Sequence, residues 1–106
     1  MKIKLNVMER IMAMNVLPKE GSFVTLKTIR DTTDKLGLKE VELKEFEVKQ
    51  DGDKVTWNQK GNEEVEIDFG ERAIDLMTGA LKKLSEENKL TQQQFSLYEK
   101  FVKGGN

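Results

Sequence analysis

The chain has 106 residues, of which 37% are hydrophobic and 35% charged, and its 18 basic residues nearly balance 19 acidic ones. This length suits one domain at 1–103, which can bury a core without disulfides, followed by a flexible tail at 104–106. Cysteine and histidine are absent, which excludes the chemistry and metal sites that depend on them, and a net charge of −1 offers no general attraction for nucleic acid or anionic lipid.

The composition also bounds the cell compartment and the kind of protein. No apolar run approaches the roughly 18 residues that a membrane-spanning helix needs, and residues 1–5 lack the apolar core of a signal peptide. We therefore expect a cytoplasmic protein that has no membrane contact, no catalytic residue, no metal and no cofactor.

The start of the chain supports two interpretations. Apolar residues alternate with polar ones from Ile3 to Val7, which is typical of a short strand with one buried face. Asn6 followed by Glu9 is also the capping pair that opens a helix, and Pro18 ends that helix. Whether residues 2–6 form a strand stays open.

The first predicted helix is rich in methionine. Met8, Met12 and Met14 lie on its wide apolar face, as in an adaptable binding groove, although a buried core helix explains them more simply. Two further helices follow: Ser22 caps the second, Gly37 ends it, and the third covers 38–45. The apolar residues that these two helices should bury are Leu26, Ile29, Leu36, Leu38, Val41 and Leu43.

The middle of the chain predicts a β-hairpin. Asp51-Gly52 separates two alternating runs, and both residues tolerate the positive φ angles of a type I′ turn. The resulting strand pairs are Val48 with Val55 and Phe46 with Trp57.

A third alternating run, from Val65 to Phe69, adds a strand to this hairpin. One apolar face requires Trp57 opposite Val65 and Val55 opposite Ile67. The other face is polar and carries Glu47, Lys49, Lys54, Thr56, Asn58, Glu64, Glu66 and Asp68.

Helical spacing resumes from Ala73 to Leu84, where Gly79 is explained by close packing against a neighbour. Thr91 and Gln94 cap a last helix. This helix should carry Phe95, Tyr98, Phe101 and Val102 toward the core. The predicted fold is thus α+β: a three- or four-stranded antiparallel sheet with helices packed on one face, in the order helix-helix-helix-hairpin-strand-helix-helix.

Two groups of acidic residues are candidates for a metal site or for catalysis. Asp51 and Asp53 lack the further oxygen ligands of a calcium loop, so a plain turn is favoured over a metal site. The acidic strand from Glu63 to Asp68 lies on an open face, which does not separate the pKa values of its carboxyls as catalysis requires.

The element order also imitates a winged helix, in which the third helix would enter a DNA groove. That helix exposes Lys39, Glu40, Glu42, Lys44 and Glu45, so its charge is negative where phosphate contacts need a basic excess. A winged-helix-like nucleic-acid-binding regulator is therefore the alternative function, and nucleic acid is not the expected partner.

Three segments, at 15–21, 52–58 and 97–101, resemble a group of small uncharacterised phage and prophage proteins. The resemblance implies an accessory protein of a mobile element that binds a host or phage protein. It assigns no catalytic or binding residue.

The sequence therefore predicts a small non-enzymatic protein-interaction module whose partner is another protein, with a homo-oligomer left open. Its contact surface would be the polar sheet face or the helix at 39–45. The candidate protein-contact residues are Lys39, Glu42, Thr56, Asn58, Glu64 and Glu66.

Overall fold

The computed structural model describes residues 1–103, which form four short strands and five α-helices. In chain order these are β1 (Lys2–Leu5), α1 (Val7–Val16), α2 (Phe23–Leu36), α3 (Glu40–Glu45), β2 (Lys49–Asp51), β3 (Lys54–Thr56), β4 (Val65–Asp68), α4 (Glu71–Glu86) and α5 (Gln92–Tyr98). A 3-10 turn at Gln59–Asn62 precedes β4, and a π-helical turn at Glu99–Lys103 extends α5. The α+β class is confirmed, and the tail predicted at 104–106 lies outside the described residues.

Both interpretations of the chain start are correct. Lys2–Leu5 is a strand, and the helix after it opens with the predicted capping pair: Glu9 donates its backbone N–H to Asn6 Oδ1 at 2.9 Å, and Asn6 returns its own to Glu9 Oε1 at 3.0 Å. The two motifs share Asn6 as their border, so a strand and a helix follow each other without a loop.

The strands form two separate two-stranded antiparallel sheets within the described residues, rather than one sheet of three or four strands. β2 pairs with β3, whereas β4 pairs with β1 and places Ile67 opposite Ile3. The predicted Trp57–Val65 pair is therefore wrong. β1 suits β4 better because its lysines face acidic residues: Lys2 lies opposite Asp68, and Lys4 lies opposite Glu66.

The hairpin between β2 and β3 is confirmed, but its turn lies one residue later than predicted, so the strand register differs by two residues. Asp51 pairs with Lys54, so the turn residues are Gly52 and Asp53. Gly52 has a φ of 63° while Asp53 keeps a negative φ, which is typical of a type II′ turn rather than type I′. The shift places Gln50 opposite Val55, so the predicted pairs of the hairpin do not form.

The core lies between the β1–β4 sheet and the helices. Its fully buried side chains include Leu5, Leu36, Met77, Leu81 and Leu97. The rings of Phe69 and Phe101 meet edge to face with their centroids 5.5 Å apart. The described part of the chain thus shares one apolar cluster that reaches from β1 to the π-helical turn.

Several apolar residues predicted to be buried are exposed instead, namely Leu26, Val41, Leu43 and Phe95. Val41 is the extreme case, with 73% of its surface exposed. α3 has only six residues and buries none of them, so its apolar side cannot reach the core. Phe46, which follows α3, is buried instead of the apolar residues of that helix, and it lies outside the strand in which it was predicted.

The structure contradicts the roles that were predicted for two glycines. A Cβ at Gly79 would meet nothing within 4 Å, so close packing does not explain this residue. Gly37 ends α2 with a φ of −60° and thus without the left-handed conformation that was predicted for it. At Gly61, by contrast, a Cβ would lie 2.5 Å from Trp57 Cδ1, so the indole requires a glycine there.

Candidate protein-binding cleft

Arg10 joins the three N-terminal helices, a role that was not predicted from the sequence. Its side chain is 3% exposed, and its Nε and Nη2 atoms donate to the carbonyls of Leu36 and Gly37 at 2.9 and 2.8 Å. The same guanidinium binds both carboxylate oxygens of Glu42 at 2.7 and 3.1 Å. Because Arg10 donates to it, the pKa of Glu42 lies below its ordinary value.

A surface cleft of ≈ 500 Å³ lies beside this cluster. Strand β4 forms one wall, and the end of α2 with the start of α3 forms the other. We call it the β4 cleft; its lining residues are Arg10, Asp34, Lys35, Lys39, Glu42, Val65, Glu66, Ile67 and Asp68.

The backbone of β4 has an open edge along this cleft. Phe69 donates its backbone N–H to Met1 O at 2.8 Å, and residues of an antiparallel pair alternate between those that bond their partner and those that face away. Ile67 therefore bonds β1, whereas Glu66 and Asp68 direct their backbone groups into the β4 cleft. Lys35 confirms this direction, since its Nζ donates to Asp68 O at 2.9 Å.

Glu66 is the residue of this edge whose backbone N–H and C=O both lack a partner among the described residues. The Asp68 carbonyl is occupied by Lys35, but the N–H and C=O of Glu66 meet no hydrogen-bonding partner among residues 1–103. On the opposite edge of the sheet, Lys100 Nζ covers the outward carbonyl of Lys4 at 2.7 Å. Each edge of the sheet thus has one carbonyl covered by a lysine, and the bare backbone groups of Glu66 face the β4 cleft.

The structure brings together three of the six predicted contact residues. Lys39, Glu42 and Glu66 line the β4 cleft, although Glu42 is held by Arg10. Thr56 is exposed on the other sheet, opposite Lys49. The predicted polar face is therefore divided between two sheets.

The remaining two predicted residues have local partners. Asn58 donates to the Glu45 carbonyl at 3.0 Å and accepts from the Lys60 N–H at 3.0 Å, so its amide holds the 3-10 turn in place. Glu64 contacts Lys100 Nζ. These contacts indicate structural roles for both side chains.

Lys100 also holds a buried carboxylate that the sequence did not reveal. Glu9 is 2% exposed, and Lys100 Nζ lies 2.8 Å from its Oε1 atom. Burial alone would raise the pKa of Glu9, but hydrogen bonds from Lys100 and from the Asn6 backbone outweigh it and lower the pKa. Burial by itself would lower the pKa of Lys100, but its hydrogen bonds to Glu64 and Glu9 outweigh burial and raise the pKa.

A second groove, of ≈ 420 Å³, separates α1 from the hairpin. Its apolar lining is Met8, Ile11, Met12, Val55 and Trp57. These side chains are half-buried. Met12 and Met14 pack against the core, as the simpler interpretation predicts, while Met8 and Met12 line the groove. No charged side chain except Asp53 lines this groove.

Within residues 1–103, no three acidic side chains converge closely enough to hold a metal ion. None of the helices in that range is both long and apolar enough to cross a membrane. Comparison of the chain with protein-family models, with curated proteins and with solved structures finds no match.

Proposed function

We propose that this protein is a small non-enzymatic interaction module that binds an extended segment of a partner protein in the β4 cleft. The observation that carries this proposal is the open edge of β4, where the N–H and C=O of Glu66 face the cleft without a partner among the described residues. Exposed strand edges bind peptides by strand addition, in which main-chain hydrogen bonds supply affinity.

The size of the sheet supports the same mode of binding. β1 and β4 pair over only four residues each, and two-stranded sheets gain stability from a third strand. Val65 stands at the cleft with 36% of its surface exposed, so an added strand would also cover apolar surface.

The ionisable groups of the cleft favour binding over catalysis. Arg10 lowers the pKa of Glu42, whereas a general acid or base near neutral pH needs a raised carboxyl pKa. Lys35 and Lys39 donate to main-chain carbonyls, so neither amine is directed at a shared reaction point. The resemblance to small phage proteins is in keeping with a binding role, and we extend the proposal to a host or phage protein as the partner.

A selection from random displayed peptides, with the full chain immobilised, tests the proposal. We expect the selected peptides to shift the amide resonances of Val65–Asp68 and of Lys35 in the isotope-labelled protein. Shifts confined to the groove around Met8 and Trp57 would contradict the proposed site. A selection that enriches no peptide, from a library that yields binders to a known control domain, would contradict the function.

Two substitutions at one position provide a matched comparison. Glu66→Pro removes the backbone N–H that faces the cleft, at an edge position where proline is tolerated. Glu66→Ala keeps that N–H and removes only the side chain. Binding of the selected peptides should be lost in the proline variant and retained in the alanine variant, with both folds verified by their amide spectra.

A further inference from the structure

We infer that the β4 cleft selects a partner strand in which basic residues alternate with apolar ones. The inference rests on the proposed function and specifies the chemistry of the partner. Both faces of the β1–β4 sheet would continue into a strand added at the β4 edge.

The outer face of β4 carries a row of carboxylates. Glu66 and Asp68 lie on this face within the strand, and Glu64 precedes them at the same spacing. On one side of this row lies β1, whose Lys4 is opposite Glu66. A strand on the open side would meet the same carboxylates, and opposite charges on neighbouring strands stabilise the pairing.

Every carboxylate of this row has a cation beside it, but none of these cations lines the β4 cleft. Lys35 and Lys39 each donate to a main-chain carbonyl, and neither lies within 4.0 Å of a carboxylate among residues 1–103. Glu64 contacts Lys100 Nζ, Glu66 lies 3.8 Å from Lys2 Nζ on β1, and Asp68 lies 3.3 Å from the N-terminal amine. The Glu66 and Asp68 side chains are still 49% and 71% exposed, so basic side chains of a partner can reach these carboxylates from the cleft.

The inner face of β4 sets the apolar half of the pattern. Val65 and Ile67 point to the core side of the sheet, where Ile67 is buried but Val65 is not fully covered. An apolar side chain on the inner face of an added strand would extend the core over Val65. β1 itself has this alternation, with lysines outside and Ile3 and Leu5 inside.

Charge also argues against a second copy as the occupant. Two β4 strands paired antiparallel about Glu66 would place Glu66 opposite its own copy and Glu64 opposite Asp68. Like charges directly opposite each other destabilise a strand pair. The observations therefore favour a basic partner strand over self-association.

Synthetic peptides test this inference directly on the full chain. A short peptide of alternating lysine and valine is titrated into the isotope-labelled protein beside a peptide of alternating glutamate and valine. We expect the lysine peptide to shift the amides of Val65–Asp68 and to bind at least about fivefold more tightly. Its affinity should fall as salt is raised, because these pairs are exposed.

A charge reversal provides the control. Glu66→Lys should weaken the lysine peptide and strengthen the glutamate peptide, whereas Glu86→Lys, at the exposed end of α4, should change neither. Equal binding of both peptides, or a preference that the Glu66→Lys variant does not shift, would overturn the inference. If neither peptide binds while peptides selected by display still bind the β4 edge, the basic preference is wrong and the proposed function stands.

Discussion

Arg10 satisfies three groups that would otherwise be costly to bury. Two are main-chain carbonyls that the end of α2 leaves without helical partners, and the third is the Glu42 carboxylate. A planar guanidinium reaches all three at once, which a lysine ammonium cannot do. One residue thereby fixes the wall of the β4 cleft.

We expect Arg10→Ala to lower the free energy of unfolding by about 3 kcal/mol, because it leaves Glu42 unpaired and two carbonyls unsatisfied. Arg72→Ala, at an exposed position on α4, should change it by less than about 0.5 kcal/mol. Urea denaturation measures both values. Equal losses in the two variants would show that the buried guanidinium has no special role.

Glu9 and Glu42 predict how stability depends on pH. Both carboxyls have pKa values below the ordinary 4.5 in the folded protein, so their contribution is complete above that pH and declines as the pH falls through the folded pKa values. The raised pKa of Lys100 predicts a second decline above an ordinary value of 10.5. Urea denaturation over a pH series should show a flatter acid limb in the double variant Glu9→Gln, Glu42→Gln.

At the level of elements, local signals were reliable and distant pairings were not. The caps at Asn6, Ser22 and Thr91 were predicted because each depends on residues within one turn. The β1–β4 pairing joins segments about sixty positions apart, and alternation alone does not choose between β1 and β3 as the partner. The cross-strand charges that decide it become visible only after the pairing is considered.

The same difference between local and distant signals applies to the residues of the candidate site. Lys39 and Glu66 were predicted as surface residues, and both line the cleft. The open edge could not be predicted, because it depends on which strand covers the other side of β4. Arg10 and Glu9 were missed because charged residues in a helix are ordinarily exposed, and only the fold brings Glu42 and Lys100 to them.

Substitution of two glycines by alanine tests the described backbone of the hairpin and the packing of α4. Gly52→Ala should lower the free energy of unfolding by about 1 kcal/mol, because Gly52 has a φ of 63° that alanine adopts poorly. Gly79→Ala should raise it by about 0.5–1 kcal/mol, because the added methyl meets no neighbour and alanine favours the helix. Thermal and urea unfolding measure both; a destabilised Gly79→Ala variant would contradict the open space at that position.

At the scale of the whole molecule, the core depends on residues from both ends of the described chain. Leu5 from β1 and Leu97 from α5 are fully buried in the same cluster, and Lys100 Nζ reaches back to the carbonyl of Lys4. We therefore expect the β1–β4 sheet and α5 to lose their structure together.

Leu5→Ala tests this coupling. It should lower the free energy of unfolding by about 3 kcal/mol, since it leaves a cavity in the core, whereas Val41→Ala at an exposed position should cost less than about 0.5 kcal/mol. Hydrogen exchange should then accelerate at amides of both β4 and α5. Acceleration confined to the sheet would show that the two ends unfold independently.

The bond between Lys100 and the Lys4 carbonyl has a consequence for how the protein is made. Translation adds roughly 5–20 residues per second, so β1 leaves the ribosome several seconds before β4 exists to pair with it. Throughout that interval neither edge of β1 has a partner strand. The β1–β4 sheet can therefore close only after residue 68 has been added, and the Lys4 carbonyl gains its Lys100 partner only after residue 100.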